Sequence, residues 1–289
     1  SCNALPPRQH FQHFHEKQGG GIMETVKTIV YALLIAGVFR SLFFQPFWIP
    51  SGSMKDTLLI GDFLFVNKMS YGYSYASCPS IKIGAIGLNI DAKNICGFLD
   101  GDNTRLWGSE PERGDVIVFR HPVSGSDYIK RLTGLPGDTI QMKAGVLHIN
   151  GEPVKLEDDG IFEEVAGPQG PQGLRPRCEN GPVGQGGVCV KSRQAETLPE
   201  GRTHSILNII DQRTDNTGVY TVPEKHYFFM GDNRDNSTDS RVPQIAGGVG
   251  FVPFENLIGR ADRVMFSSAG RSMFFFWTWR SDRFFKAIE

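Results

Sequence analysis

The sequence lacks an excess of either charge, and this absence limits the classes of protein to which it can belong. Lysine and arginine number 30 against 31 aspartate and glutamate residues, which gives a net charge of −1 over 289 residues. Nucleic-acid-binding proteins rely on a basic surface, so we expect no nucleic-acid partner. The charged fraction of 21% argues against a polytopic membrane protein, and the hydrophobic fraction of 40% argues against global disorder.

Cysteine is also scarce, and its spacing does not match a metal or redox motif. None of the five cysteines forms the C-x-x-C pair of a zinc or thioredoxin site. Cys178 and Cys189 lie eleven positions apart, and Cys78 and Cys96 lie eighteen apart, each pair enclosing a glycine-containing loop. We predict that each pair forms a loop-closing disulfide in an oxidising compartment. The alternative is a set of unrelated thiols.

Only one apolar stretch, near the N-terminus, is long enough to suggest a membrane segment. It follows a polar tail over residues 1–21, which we expect to be disordered, and contains twelve uncharged residues from Thr28 to Phe39. A spanning helix needs about 20 residues, so Lys27 and Arg40 would have to extend their charged ends to opposite faces of the bilayer. A buried core helix and a cleavable signal peptide are the alternatives, but no convincing cleavage site follows. We predict an uncleaved transmembrane anchor over residues 22–46.

The pattern after this segment is that of β structure. The chain contains 34 glycines and 17 prolines, which favours many turns. Short runs rich in valine, isoleucine, phenylalanine and tyrosine alternate with turn residues, as in antiparallel strands. Asn150-Gly151 is a strong hairpin signal. The predicted strands are Asp62–Val66, Asp115–Phe119, Tyr128–Leu132, Thr139–Met142, Val146–Ile149, Val219–Val222, Tyr227–Met230 and Leu257–Phe266.

Three residues could carry nucleophilic chemistry without a histidine base: Ser51, Ser53 and Lys130. Ser51 and Ser53 lie in a Pro-Ser-Gly-Ser-Met segment directly after the predicted anchor, although such a segment is also a common loop and lacks the G-x-S-x-G pattern. Lys130 lies inside an apolar run, where burial lowers a lysine pKa and makes it a usable base. The alternative for Lys130 is an ordinary strand lysine that faces water.

Residues 231–241 (GDNRDNSTDSR) hold an unusual density of hydrogen-bonding side chains. A calcium-binding loop requires glycine at its sixth position and glutamate at its twelfth, but counting from Asp235 places Ser240 and Ala246 there. The segment therefore predicts a polar network around a site, and we expect neither a metal nor a cofactor.

In their order along the chain, these segments resemble the boxes of bacterial type I signal peptidases. The resemblance rests on residues 50–68 (PSGSM and GDFLFVNK), 113–138 (RGDVIVFRHP and DYIKRLTGLPGD) and 231–241. It implies a mostly β serine protease, with an antiparallel sheet or partly open barrel as catalytic domain over residues 47–142 and 226–289. One N-terminal transmembrane helix precedes this domain, and residues 143–225 form an inserted, smaller β domain with long loops.

The resemblance also implies roles for individual residues. Ser53 is the nucleophile and Lys130 the general base of a Ser-Lys dyad. The Ser51 hydroxyl and the Ser53 backbone amide form the oxyanion hole, and Ser237 hydrogen-bonds the lysine. The supporting network comprises Ser237, Asp239, Arg241, Arg234 and Asp235.

The implied partners are preproteins whose signal peptides carry small residues at −3 and −1, and the lipid bilayer. We expect a monomer with a single span in the bacterial cytoplasmic membrane and a catalytic domain on its outer side. Aromatic residues predicted at the membrane interface are Phe43, Phe44, Phe47, Trp48, Trp277 and Trp279, although the C-terminal group alternatively packs in the core. Two other functions remain open: a related Ser-Lys processing peptidase of the conjugation-pilus type, and an inactive membrane-tethered β scaffold.

Overall fold

The computed structural model describes residues 21–78, 81–83, 88–90, 92–99, 105–270 and 272–288. Within these ranges the protein is mostly β, as the sequence pattern predicts. Its strands are β1 (Phe44–Trp48), β2 (Asp62–Asn67), β3 (Ile81–Ile83), β4 (Leu88–Ile90), β5 (Val116–Arg120), β6 (Asp127–Gly134), β7 (Thr139–Lys143), β8 (Val146–Ile149), β9 (Glu152–Pro153), β10 (Lys155–Val165), β11 (Val188–Thr197), β12 (Thr203–Asn208), β13 (Tyr220–Thr221), β14 (His226–Met230), β15 (Val252–Pro253) and β16 (Leu257–Ser267).

Helical structure in the described ranges consists of α1 (Gly21–Leu42), the five-residue α2 (Ala92–Cys96) and short 3₁₀ helices. Among the described residues, no helix combines the length and apolar character needed to cross a bilayer. The predicted anchor over 22–46 also extends past the end of α1, because Phe44–Trp48 pairs antiparallel with β2 as a strand. The tail over residues 1–20 lies outside the described residues.

A seven-stranded antiparallel sheet, curled into a half-barrel, forms the main body of the protein. Its strand order is β1-β2-β16-β5-β6-β14-β15, so segments far apart in sequence become neighbours. Apolar side chains of β2, β5 and β16, including Leu64, Val118 and Val264, pack in one buried cluster. This cluster supports the turn between β1 and β2, which contains Ser53.

Two smaller sheets lie between β6 and β14 in sequence. One has the order β10-β11-β12, and the other has the order β13-β7-β8-β9. The β8–β9 hairpin turns through Asn150 and Gly151, whose positive φ angles of 54° and 87° suit the Asn-Gly pair. The assignment of residues 143–225 to a separate domain stays a prediction.

Both predicted cysteine pairs are disulfide-bonded. Cys78 joins Cys96, and Cys178 joins Cys189. The second bond closes the glycine- and proline-rich loop that connects β10 with β11, which restricts the conformations of the unfolded chain.

Candidate active site

The turn between β1 and β2 holds Ser53 on top of the apolar core. Met54 and Leu58 are fully buried in the cluster beneath the turn, and Leu58 N donates to Met54 O at 2.7 Å. Ser53 is only 8% exposed, whereas Ser51 is half-buried. The packing of its neighbours thus gives the Ser53 hydroxyl a fixed position at the edge of the core.

Lys130 on β6 points at this hydroxyl. Its Nζ donates to Ser53 Oγ at 2.6 Å and to Ile129 O at 2.9 Å. The residue is 4% exposed, so Lys130 does not face water as an ordinary strand lysine would. Strand pairing thus brings together two side chains that lie 77 positions apart in sequence.

Burial lowers the pKa of Lys130 from 10.5 to about 8, because a desolvated ammonium loses its hydration. The carboxylates of Asp239 and Asp232 oppose this change, and the charge of Arg241 adds to it. Within the described residues, no carboxylate forms an ion pair with Lys130. The neutral amine required of a general base is therefore accessible near pH 8.

Arginines engage the two carboxylates whose charges act on Lys130. Arg241 Nε and Nη2 each donate to the Asp239 carboxylate at 2.9 Å, and Arg131 Nε and Nη2 donate to Asp232 at 2.9 and 2.8 Å. Burial alone would raise the pKa of each carboxyl, but the paired guanidinium outweighs burial and lowers it. Both carboxylates are thus ionised and already paired, which weakens their attraction for the Lys130 ammonium.

The segment 231–241 follows β14 and passes directly beside Ser53. Gly231 is required there, since a Cβ at this position would lie 2.3 Å from Ser237 Oγ and 2.6 Å from Ser53 O. Ser237 Oγ is buried beside Asp239, whose pKa the Ser237 hydroxyl helps to lower, and the described hydrogen bonds of Lys130 do not include it. The Lys130 amine is instead occupied by Ser53 and the Ile129 carbonyl.

Arg234 and Asp235 connect this segment to the β11–β12 hairpin. Arg234 forms a bidentate pair with Glu196 at 2.9 and 2.5 Å, and its carbonyl accepts from Arg241 Nη2 at 2.6 Å. The Asp235 carboxylate accepts from the backbone N of Ile209 at 2.6 Å. Arg234 and Asp235 thus stabilise the segment and do not contact the dyad directly.

Sequence reasoning missed three groups in the buried polar network that includes segment 231–241. They are the Arg131–Asp232 pair, the buried Glu196 with His204 beside it at 3.3 Å, and Asn233, which donates to the Gly52 and Ser53 carbonyls. Burial lowers the pKa of His204, so this imidazole is neutral at pH 7. The position of Arg131 next to Lys130 could have identified it, because a second cation in an apolar strand is unusual. The partners of Glu196 and Asn233 lie too far away in sequence to be inferred.

The aromatic residues predicted at the membrane interface are half-buried or exposed where their side chains are described. Phe43, Phe47 and Trp48 are half-buried at and beside β1, and the side chain of Phe44 lies outside the described part. Trp277 is 69% exposed, and Trp279 and the neighbouring Phe274 and Phe276 are exposed too, so the C-terminal aromatic group does not form a core. No cluster of three or more potential metal ligands occurs among the residues described.

The chain is similar to known signal peptidases. Residues 22–266 match the family described as signal peptidase, peptidase S26. The signal peptidase I of Rickettsia typhi is 38% identical over 255 residues, which cover 86% of this chain and 81% of the relative. That of Rickettsia prowazekii is 38% identical over 249 residues, which cover 83% of this chain and 79% of the relative.

A crystal structure of a signal peptidase I from Enterococcus faecalis is also similar. It has 25% sequence identity and a TM-score of 0.28, and the match covers 53% of this chain and 97% of that one. The family match and the two Rickettsia relatives show that the chain belongs to the signal peptidase family, peptidase S26.

Proposed function

We propose that this protein is a membrane-anchored serine endopeptidase that removes N-terminal signal peptides from exported preproteins with a Ser53–Lys130 dyad. The observation that carries the proposal is the 2.6 Å contact between Lys130 Nζ and Ser53 Oγ in a buried pocket. Membership in the signal peptidase family supports the substrate class. An inactive scaffold would have no reason to keep an amine with a lowered pKa against a serine hydroxyl.

The mechanism begins with neutral Lys130. Its Nζ accepts the Ser53 proton as Oγ attacks the scissile carbonyl carbon, and a tetrahedral intermediate forms. The Ser53 backbone N–H and the Ser51 hydroxyl stabilise the oxyanion. Each such donor contributes about 3–4 kcal/mol in comparable sites. The Lys130 ammonium then protonates the leaving amine, which releases the mature protein and leaves an acyl-enzyme. Lys130 finally accepts a proton from the water that hydrolyses this ester.

Substrate recognition is assigned to the outer strand of the main sheet. β1 ends the strand order and leads directly into the turn that holds Ser53, so an extended signal peptide can pair along this edge. Small residues at −3 and −1 suit shallow apolar pockets near Phe47 and Ile129, which are partly buried beside the core.

Membrane attachment is assigned to α1 and to the aromatic C-terminal group. Large apolar side chains of α1, such as Leu33, Leu34 and Ile35, are exposed in the described structure. Trp277 and its neighbours suit the interfacial region of a bilayer. The two disulfides suit the oxidising outer side of a bacterial cytoplasmic membrane, where exported preproteins emerge.

The activity is tested with several unrelated preproteins that carry an Ala-x-Ala cleavage site, presented in detergent or lipid. We expect the wild type to cut after the second alanine, whereas Ser53→Ala and Lys130→Ala lose nearly all activity. Cleavage of one specialised precursor alone would favour the conjugation-pilus type of peptidase. A wild type that cuts none of them would refute the proposal.

Membrane attachment is tested separately by vesicle flotation. Leu34→Glu should reduce binding to bacterial-lipid vesicles, because a carboxylate in the apolar stretch of α1 opposes insertion. Val219→Glu, at an exposed apolar position outside α1 and the aromatic group, should not change it. Equal flotation of all three proteins would contradict the assignment of the anchor.

A further inference from the structure

Asn233 forms hydrogen bonds to two consecutive carbonyl groups in the turn between β1 and β2, which contains Ser53. Its side-chain Nδ2 donates to Gly52 O at 2.9 Å, and its backbone N donates to Ser53 O at 3.0 Å. The residue is fully buried, with 0% of its surface exposed. Because these carbonyls lie on either side of the Ser53 Cα atom, Asn233 fixes the peptide planes on both sides of the nucleophile.

This clamp determines where the Ser53 N–H points. A trans peptide is planar, so the Gly52 carbonyl and the Ser53 N–H lie in one plane and point in opposite directions. With Gly52 O held by Asn233, the Ser53 N–H is directed away from Asn233. No acceptor among the described residues takes this N–H, so it is left for a substrate oxygen.

Of the two polar atoms in the Asn233 side-chain amide, only Nδ2 forms a hydrogen bond in the described structure. Its Oδ1 is buried without a hydrogen-bond partner in the described structure. An unsatisfied buried acceptor is unfavourable, and an apolar side chain would serve packing better. The donor is therefore the part of this side chain that the site needs.

Other contacts do not replace this clamp. Lys55 N also reaches Gly52 O, at 3.3 Å, but it belongs to the same turn and does not tie the turn to another element. Asn233 lies in the 231–241 segment, which is anchored through Asp232 to Arg131, the neighbour of Lys130 on β6. The clamp thus couples the orientation of the Ser53 amide to the strand that carries the base.

We propose that Asn233 is a positioning residue of the oxyanion hole, which orients the Ser53 N–H and does not itself contact the substrate. The inference rests on the proposed function, because it takes Ser53 as the nucleophile. Asn233→Ala should lower kcat about 10- to 100-fold, since small displacements of catalytic groups have effects of this size. KM should stay within about threefold of the wild type, because ground-state binding is untouched. The pH midpoint of the reaction should not move.

The test compares full-length variants on one Ala-x-Ala preprotein. Asn233→Leu keeps a branched side chain and adds no charge but cannot donate to Gly52 O, so it should be as slow as Asn233→Ala and covers the case in which the smaller side chain fails to fold. The matched control is Asn256→Ala, because Asn256 is 5% exposed and donates to Arg120 O at 2.8 Å far from Ser53 in sequence. This control should lower stability and keep kcat.

A second readout separates positioning from general damage. A signal-peptide aldehyde, whose adduct with Ser53 places an oxyanion in the hole, should bind the Asn233 variants more weakly by the same factor as kcat falls. The matched peptide alcohol should bind them as it binds the wild type. Wild-type kcat in both variants, or an equal loss for aldehyde and alcohol, would overturn the inference. An inert wild type or an active Ser53→Ala would instead overturn the proposed function, and the inference with it.

Discussion

Two buried lysines flank Ser53, and they have opposite surroundings. Lys130 contacts only the neutral Ser53 hydroxyl and Ile129 carbonyl among its described hydrogen-bond partners. Lys55, two positions after Ser53, forms an ion pair with Glu164 and donates to Gln169 Oε1 at 2.8 Å. Glu164 pairs with Lys191 as well, so one carboxylate on β10 serves two buried ammonium groups.

Burial alone does not make a lysine a base. Burial lowers the pKa of both lysines, but Glu164 opposes this change at Lys55 and favours its charged form. Around Lys130 the nearest carboxylates are engaged by Arg131 and Arg241, so its pKa stays at about 8. Pairing of the surrounding carboxylates therefore separates the proposed base from a structural lysine.

The largest expected effect comes from exchanging each lysine for methionine. Lys130→Met should lower kcat/KM by about 10⁴-fold or more, as removal of a member of a catalytic unit does. Lys55→Met should stay within about tenfold of the wild type, because Glu164 keeps Lys191 as its partner. Steady-state cleavage of the same preprotein measures both. Equal losses in the two variants would erase the distinction between the lysines.

The next effect concerns stability at the paired lysine. Glu164→Gln leaves Lys55 and Lys191 without their carboxylate, which should lower the free energy of unfolding by about 3–5 kcal/mol. Urea denaturation of the purified protein measures the change. The control is Glu157→Gln, because the Lys155–Glu157 pair is exposed and should contribute nothing measurable. A Glu164→Gln protein as stable as this control would show that the cluster is not structural.

The smallest effect tests the arginine that engages Asp239. Arg241→Met leaves the Asp239 carboxylate free to stabilise the Lys130 ammonium, which should raise the lysine pKa above about 8. The midpoint of the kcat/KM profile should then move to higher pH. At a fixed pH below this midpoint, activity should fall up to about tenfold for each pH unit by which the midpoint rises.

Rates measured from pH 6 to 10 would locate the midpoint in the wild type and in Arg241→Met. The double variant Asp239→Asn/Arg241→Met is the control, because it removes the freed carboxylate together with the arginine. Its midpoint should return close to that of the wild type. A midpoint that stays or falls in the single variant would contradict the account.

The sequence predicted the main sheet well because its strands carry local signals. Predicted Tyr227–Met230 differs from β14 by one residue, and predicted Leu257–Phe266 differs from β16 by one residue. β10 was missed, because its residues 155–165 are largely charged and exposed and show no alternation of apolar side chains. The end of the predicted anchor became β1 because pairing with β2 outweighed the apolar pattern of this segment.

The contact between Ser53 and Lys130 could be predicted from the ordered segments, but its electrostatic setting could not. The contact between Lys55 and Glu164 spans 109 positions, and that between Arg131 and Asp232 spans 101. No local pattern encodes such pairs, because sheet order and loop closure create them. The implied bond from Ser237 to Lys130 stays a prediction, and Ser237 lies beside Gly231 and Asp239.

The pKa of Lys130 in the folded protein, which we expect at about 8, can be measured directly. Protein labelled with ¹³C at lysine Cε would be titrated by NMR, and Lys130→Met and Lys55→Met would identify the two signals. We expect a midpoint of about 8 for Lys130, whereas at Lys55 the Glu164 carboxylate favours the charged form against burial. A Lys130 midpoint near the ordinary value of about 10.4 would contradict this expectation.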